Sequence, residues 1–180
     1  QTLDDYLIEF INRKMKCLDM DANPKEYDVV RGLAGMGRYL LNRVEANPKV
    51  ISSLIKIMNH FRDIHYSKSH WIVSRENQFL DIDKERFSLG NINLGLAHGI
   101  LGPFSLLALS KLKGVEIDNH TRLLSDITEY LFRTEFQNKL GWLDRYDIAE
   151  KYYPTYSVRN GWCYGDTGIM NTIWLLGLAL

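Results

Sequence analysis

Residues 162–168 read Trp-Cys-Tyr-Gly-Asp-Thr-Gly, and the rest of the chain is organised around this stretch. Its two glycines, Gly165 and Gly168, open an apolar run over residues 169–180. Two earlier pairs with the same Gly-x-x-Gly spacing open apolar runs of their own. The first glycines of the three pairs lie 67 and 66 residues apart, the earlier pairs being Gly32 with Gly35 and Gly99 with Gly102. One pattern that recurs at a fixed period is typical of proteins built from structural repeats.

A polar residue stands at or shortly before the first glycine of each pair. These residues are Asp28, His98 and Cys163. Each pair with its apolar run predicts the start of a buried helix, so each polar residue is placed near a helix N-terminus. If the three helices run parallel and side by side, their N-terminal ends share one rim. We expect the three polar side chains to converge at this rim, which we call the mouth.

The sequence predicts six helices and little regular structure between residues 65 and 93. The helices cover residues 3 to about 18 or 20, 28–44, a segment that starts at Asn47-Pro48, 102–112, a segment from Asp118 or Asn119 to about 136, and residue 165 onward. Gly114 is a candidate C-cap. Within the weaker region, residues 71–73 are a candidate strand, and residues 81–86 a charged loop or helical turn.

The second, fourth and sixth helices are broadly apolar, whereas the first, third and fifth are amphipathic. Buried and half-buried helices that alternate at a fixed period indicate an all-α repeat of helix pairs. Two architectures fit this pattern: an open solenoid, and a closed ring of inner and outer helices, the α/α toroid. The simpler alternative is that the glycines only let helices pack closely.

Composition excludes several classes of protein. Apolar residues make up 46% and charged residues 24% of the chain, and the formal net charge is zero, which argues against a broad nucleic-acid or anionic-membrane surface. Two cysteines are too few for a disulfide framework and indicate a reducing, cytoplasmic compartment. The sequence has neither a leader pattern nor an apolar run long enough to insert into a membrane. Because it begins at Gln1 and stops at Leu180 within an apolar run, we expect a segment of a longer protein.

Five residues are candidates for chemistry, and each also has a plain structural interpretation. Cys163 is a nucleophile, a metal ligand or an inert buried thiol. His98 is a general acid or a hydrogen-bonded core residue. Asp28 is a functional carboxylate or a simple N-cap. Arg159 stabilises an anion or lies on a surface loop, and Tyr164 offers its hydroxyl or only packs.

Three motifs together resemble the lanthionine synthetase C family, the lantibiotic cyclases. They are Asp-Val-Val-Arg-Gly-Leu-Ala-Gly at 28–35, Leu-Gly-Leu-Ala-His-Gly-Ile-Leu-Gly at 94–102, and the Trp-Cys-Tyr-Gly stretch at 162–168. Cys-Tyr-Gly, as opposed to Cys-His-Gly, is more similar to the stand-alone cyclases than to the cyclase domain of bifunctional synthetases.

The resemblance implies an α/α toroid with a catalytic zinc at its mouth, of which residues 1–180 form a single domain and a partial ring. It implies that Cys163 is one zinc ligand and that the remaining ligands, a Cys-His pair, follow Leu180. His98 matches the position of the general acid and Asp28 that of the family's active-site aspartate. Arg159 and Tyr164 match residues that stabilise the enolate or position the substrate.

The implied substrate is a dehydrated precursor peptide, in which a cysteine thiol adds to dehydroalanine or dehydrobutyrine to close a thioether ring. A dehydratase and an exporter are the implied partners, and association with a membrane assembly would be peripheral. Two other functions stay open at this point. A glycan-processing toroid would pair Asp28 with Asp144 or Asp166, and a non-catalytic relative of the cyclases would bind peptide or glutathione.

Overall fold

The structure is a computed structural model and describes residues 2–18, 21–45, 47–133, 136–138, 141–149 and 161–180. These residues form eight helices and four short strands. The helices are α1 (Leu3–Lys14), α2 (Pro24–Tyr27), α3 (Leu33–Leu41), α4 (Pro48–Tyr66), α5 (Asp81–Arg86), α6 (Leu101–Leu112), α7 (His120–Leu131) and α8 (Asp166–Ala179). The strands are β1 (Asn91–Asn93), β2 (Gln137–Asn138), β3 (Gly141–Trp142) and β4 (Arg145–Asp147).

Local sequence signals fix the starts of three of these helices. Thr2 caps α1 and exchanges hydrogen bonds with Asp5, a capping box that satisfies otherwise unpaired N–H groups at the helix end. Asn23 and Asn47 cap α2 and α4 in the same way, each accepting a backbone N–H while a proline occupies the first helical position.

The helices form inner and outer layers. The inner helices α3, α6 and α8 pack side by side, with α6 in the middle. The outer helices α1, α4 and α7 cover them: α4 lies against α3 and α6, and α7 lies against α6 and α8. This is the architecture of an α/α toroid, present here as a partial ring, and it confirms the predicted fold class.

A buried aromatic cluster joins the layers around Trp71. Its ring meets those of Tyr27 and Phe104 edge to face, with centroids 5.4 Å apart in both cases. Its indole N–H donates to Nδ1 of His65 at 3.2 Å, so the polar end of the side chain is also satisfied. The cluster anchors the long connection between α4 and α6 on the core.

Two small antiparallel sheets lie in the long connections. In one, β1 pairs with β4, so that Asn93 faces Arg145 across the two strands. In the other, β2 pairs with β3. The candidate strand at residues 71–73 is only partly formed, because Trp71 adopts a left-handed conformation (φ 67°) and only Val73 forms a bridge, with Asn91.

Helix boundaries differ from prediction at several points. The first helix ends at Lys14, short of the predicted 18 or 20. The second predicted helix, α3, begins at Leu33 and not at Asp28, because the Asp28 carboxylate closes a turn with the N–H groups of Arg31 and Gly32. The fifth predicted helix ends at Leu131 and not near residue 136, where Phe136 already accepts a backbone hydrogen bond from Leu143.

Helix α8 leaves an apolar stripe in solvent. Met170, Trp174 and Leu178 follow one another at four-residue spacing and are 54%, 67% and 55% exposed. The opposite side of α8 is buried against α6 and α7. Among the described helices, none has the length and the apolar character that crossing a bilayer requires.

Candidate active site

The mouth is built from three loops that lead into the inner helices and are joined in series. The N–H of Val29, before α3, donates to the carbonyl of Ala97 at 3.0 Å. The N–H of Leu96, before α6, donates in turn to the carbonyl of Cys163 at 2.9 Å. The same bond therefore recurs between successive loops, which is the structural counterpart of the period in the sequence.

The second glycine of each pair makes this stacking possible. A Cβ atom on Gly35, Gly102 or Gly168 would crowd the carbonyl of the residue six positions earlier, which is Val29, Leu96 or Trp162 respectively. A Cβ on Gly102 would also lie 2.6 Å from a methyl group of Val29 in the neighbouring loop. The glycines thus allow the turn of each loop, and Gly102 also allows close packing on the neighbouring loop, so they do more than let helices pack.

Asp28 and His98 form a direct pair across two of these loops. Oδ2 of Asp28 lies 2.7 Å from Nδ1 of His98, and its Oδ1 accepts the backbone N–H groups of Arg31 at 2.6 Å and Gly32 at 2.8 Å. The Asp28 side chain is fully buried, whereas that of His98 is 36% exposed. Asp28 is therefore not the N-cap of α3, a position that Gly32 occupies, but a buried carboxylate that holds a histidine at the surface.

The pair fixes how His98 presents its ring. An ionised carboxylate only accepts hydrogen bonds, so Nδ1 carries the hydrogen that points to Asp28. Nε2 is then the ring nitrogen left to exchange a proton with another molecule. Phe79 packs edge to face on the imidazole, with ring centroids 5.5 Å apart, and limits its movement.

Cys163 and Tyr164 lie in the third loop, just before α8. Cys163 has a free thiol and is partly exposed, and its backbone carbonyl accepts the N–H of Leu96. The hydroxyl of Tyr164 accepts a hydrogen bond from Nδ2 of Asn93 at 3.2 Å. The Tyr164 ring occupies space that a side chain on Gly95 would fill, because a Cβ there would lie 2.5 Å from Cε1. The three loops are therefore neighbours: the side chains of Asp28 and His98 meet, and the backbone of Cys163 bonds the loop of His98. Arg159 lies outside the described residues.

The sequence pattern missed the residues that surround Tyr164. Arg145 forms an ion pair with Asp83 at 2.9 Å and lies beside Tyr164. Burial acts against the charge of Arg145, but Asp83 and the neighbouring Tyr164 raise the pKa of its guanidinium above the ordinary value. The pairing of β1 with β4 brings these residues together.

Asp28 and Asp166, two of the carboxylates that a glycan-processing toroid would use, are held by other groups in this structure. Both oxygens of Asp28 are engaged within its own loop and with His98. Asp166 accepts the backbone N–H of Trp142 at 3.1 Å, which fastens the β2–β3 hairpin to the start of α8. The backbone carbonyl of Asp144 accepts the N–H of Leu94, next to the sheet of β1 and β4.

Among the described mouth residues, Cys163 offers a thiol and His98 an imidazole, both of which are zinc-ligand types. Zinc in proteins takes thiolate and imidazole ligands, commonly three from the protein at a catalytic site. Within the described part of the chain, no group of three or more His, Cys, Asp or Glu side chains could hold a metal ion. His98 is turned to Asp28 through Nδ1. The described residues therefore supply one suitable sulfur and do not complete a zinc site by themselves.

The inner and outer helices, with an aspartate–histidine pair and a cysteine in the loops at one mouth, form part of an α/α toroid. Residues 1–180 match the family described as lanthionine synthetase C-like protein, and the chain belongs to that family.

Two relatives give the resemblance a scale. The nisin biosynthesis protein NisC of Lactococcus lactis subsp. lactis is 29% identical over 191 residues, which cover 99% of this chain and 45% of that protein. The solved structure of a nisin cyclase superimposes with a TM-score of 0.86 at 28% identity, covering 98% of this chain and 46% of the other. The chain thus spans less than half the length of each of these relatives.

Proposed function

We propose that this chain is part of a lanthionine synthetase-type cyclase, which closes thioether rings in a dehydrated precursor peptide. The observation that carries the proposal is the buried Asp28 carboxylate, which orients a half-exposed His98 beside the loop of Cys163 and Tyr164. A proton-transfer group held in one tautomer, in a loop that is hydrogen-bonded to the loop of a cysteine and a tyrosine, suits addition of sulfur to an activated double bond.

The reaction balances without an oxidant or a reductant. The sulfur of a peptide cysteine bonds to the β-carbon of dehydroalanine or dehydrobutyrine as the C=C π bond breaks. The electron pair moves to the neighbouring carbonyl oxygen and forms an enolate. A proton then reaches the α-carbon and replaces, in the overall balance, the proton that left the thiol. The product is lanthionine or methyllanthionine.

His98 is proposed as the acid that protonates the α-carbon. Its Nδ1–H stays hydrogen-bonded to the Asp28 carboxylate, so the proton that is transferred leaves from Nε2. Asp28 fixes the ring orientation and the tautomer, which is why its burial and its two backbone hydrogen bonds matter. Tyr164 and Arg159 are proposed to donate hydrogen bonds to the enolate oxygen, Arg159 on the strength of the sequence motif alone.

Zinc dependence is part of the proposal. Cys163 would supply one ligand, and the others would be the Cys-His pair that the family resemblance implies beyond Leu180. Zinc in such a site lowers the pKa of a bound thiol and makes it nucleophilic at neutral pH.

We propose further that residues 1–180 form one domain, and that the protein works in the cytoplasm beside a dehydratase and an exporter. Ring closure consumes dehydrated residues, so an enzyme that removes water from serine and threonine must act before it. An enzyme that modifies a peptide before export would associate with a membrane assembly only peripherally.

The test is ring closure by the full-length protein with the dehydrated precursor of nisin as the probe. Ring closure leaves the peptide mass unchanged, so the assay counts the thiols that remain available for alkylation. We expect His98→Asn and Asp28→Asn to lower the rate about 10²- to 10⁴-fold with zinc retained. Cys163→Ala should lose zinc and activity together.

His60→Asn on the outer helix α4 is the matched control and should leave the rate unchanged. Loss of zinc in His98→Asn would contradict the division of roles, since His98 would then be a ligand. Peptide bound by the wild-type protein with no loss of thiols would favour the non-catalytic binding protein.

A further inference from the structure

A platform of three side chains holds the hydroxyl of Tyr164. Asn93 and Arg145 face each other across β1 and β4; Nδ2 of Asn93 donates to that hydroxyl at 3.2 Å, and the guanidinium of Arg145 lies beside it. Asp83 of α5 holds the guanidinium of Arg145 from the other side, at 2.9 Å. The Asp83 side chain is 8% and that of Arg145 26% exposed, so this is a largely buried ion pair and not a surface contact. Buried ion pairs carry a desolvation cost, which a purely structural contact between two loops does not require.

Both neighbours of the hydroxyl are hydrogen-bond donors. A guanidinium has no acceptor. The amide of Asn93 is fixed in orientation, because its Oδ1 accepts the N–H of Gly95 at 2.9 Å, so its NH₂ group faces Tyr164. A tyrosine hydroxyl has one hydrogen and two acceptor positions. Because Asn93 donates to the hydroxyl and the positive charge of Arg145 lies beside it, the hydrogen of Tyr164 is repelled from both neighbours and points away from the platform.

We propose that Asn93, Arg145 and Asp83 are positioning residues that turn the Tyr164 hydroxyl into a fixed hydrogen-bond donor toward the peptide carbonyl that becomes the enolate. This inference rests on the proposed cyclase reaction. It deepens that reaction by assigning a function to the β1–β4 sheet and to α5, neither of which carries a catalytic residue. The absent side chain of Gly95 completes the arrangement, because it lets the Tyr164 ring lie against the platform.

The kinetic test is a double-mutant cycle in the full-length protein with dehydrated nisin precursor. We expect Arg145→Met to lower kcat about tenfold with KM changed less than about twofold, since the contact acts on the transition state. In a Tyr164→Phe background the same change should alter kcat less than about twofold, because no hydroxyl is left to orient. Arg145→Lys should recover part of the loss. Equal effects of Arg145→Met in both backgrounds would overturn the proposal.

The matched control is Arg43→Met. Arg43 also pairs with an aspartate, Asp4, at 3.1 Å, but it follows the C-terminal end of α3, at the end of the inner layer opposite the mouth. Its replacement should leave kcat unchanged. If Arg145→Met does not fold, Arg145→Gln takes its place in the cycle, because it keeps a neutral donor for Asp83 and loses the fork that reaches Tyr164.

A spectroscopic readout separates this inference from the proposed function. In protein labelled with tyrosine at the ¹³Cζ position, the Tyr164 signal is assigned by its loss in Tyr164→Phe. Arg145→Met should shift that signal, and Arg43→Met should not. A shifted signal in a protein that closes no rings would leave the platform standing and refute the cyclase. An unshifted signal in an active cyclase would refute only the platform.

Discussion

The inner helices α6 and α8 are alike in sequence and different in surroundings. Both are apolar over most of their length and both begin at a Gly-x-x-Gly pair. Helix α6 is buried at nearly every position from Leu101 to Ala108, because α3 and α8 flank it and α4 and α7 lie behind it. Helix α8 has an inner helix, α6, on one side only, and on its open side Met170, Trp174 and Leu178 face solvent.

The difference shows that the apolar pattern of a helix indicates how many helices it can pack against, and not how many it contacts in this structure. A stripe of three large apolar side chains at four-residue spacing is a helix-packing surface by its geometry. On α6 the corresponding surface is covered, and on α8 it is open. Burial energy should therefore be unequal along the inner layer.

The largest expected effect is a matched pair of Leu→Ala changes, one on each helix. Leu107 on α6 is fully buried, so Leu107→Ala should lower the free energy of unfolding of the 180-residue chain by about 2–5 kcal/mol. Leu178 on α8 is 55% exposed, and Leu178→Ala should change it by less than about 0.5 kcal/mol. Urea unfolding followed by circular dichroism measures both. A similar cost at the two sites would mean that the stripe on α8 is covered in solution.

The second prediction concerns pH and a histidine that packs on the covered helix α6. His65 packs edge to face on Phe104 of α6, with centroids 5.9 Å apart, and burial lowers its pKa from 6.5 to about 4. Above pH 6.5 the residue is neutral in both the folded and the unfolded state, and its contribution is complete. As the pH falls from 6.5 to 4, only the unfolded state takes up the proton, so stability falls by about 3 kcal/mol.

Urea titrations at pH 7.5 and 4.5 test this prediction. His65→Gln should remove most of the difference between the two pH values, whatever it does to stability at either one. The open stripe of α8 carries no titratable group, so Trp174→Ala should leave the pH dependence as it is. A variant His65→Gln with the wild-type pH dependence would mean that other groups are responsible, and His60 and His120, whose pKa values burial also lowers, would be tested next.

The sequence predicts elements well where the signal is local. Asn47 and Pro48 mark the start of α4 to the residue, and Gly114, with φ 73°, follows α6 as predicted. It fails where a side chain competes with the helix for backbone groups. The Asp28 carboxylate takes the N–H groups of Arg31 and Gly32, and in a helix starting at Asp28 the N–H of Gly32 would instead bond the Asp28 carbonyl, so α3 starts only at Leu33.

The candidate site divides in the same way. The period of the glycine pairs predicts that Asp28, His98 and Cys163 meet, and the structure brings their loops together. Nothing in the sequence indicates Asn93 and Arg145, because they meet through pairing of two three-residue strands more than 50 residues apart. Strands this short have no periodic pattern to detect, and a charged residue in a polar loop is usually solvated.

The smallest expected effect on stability concerns a hydrogen bond that joins α8 to α6. Oγ of Ser105 on α6 and Oγ1 of Thr172 on α8 are buried and 3.0 Å apart. Thr172 donates its one hydrogen to the carbonyl of Gly168, so Ser105 must be the donor between the helices. Thr172→Val keeps the shape of the side chain and leaves Ser105 without this acceptor, which should cost about 1 kcal/mol. Ser105→Ala should cost about as much.

Combining the two changes should cost clearly less than their sum, with a coupling energy of about 1 kcal/mol, because removing both partners leaves no buried group unpaired. Ser110 provides the matched control on the same helix: among the described residues its buried hydroxyl has no hydrogen-bond partner. Ser110→Ala combined with Thr172→Val should therefore be additive in urea unfolding. Additive effects for Ser105 as well would mean that apolar contact alone joins α6 to α8, and the buried side of α8 would then differ from its open stripe only in having a neighbour.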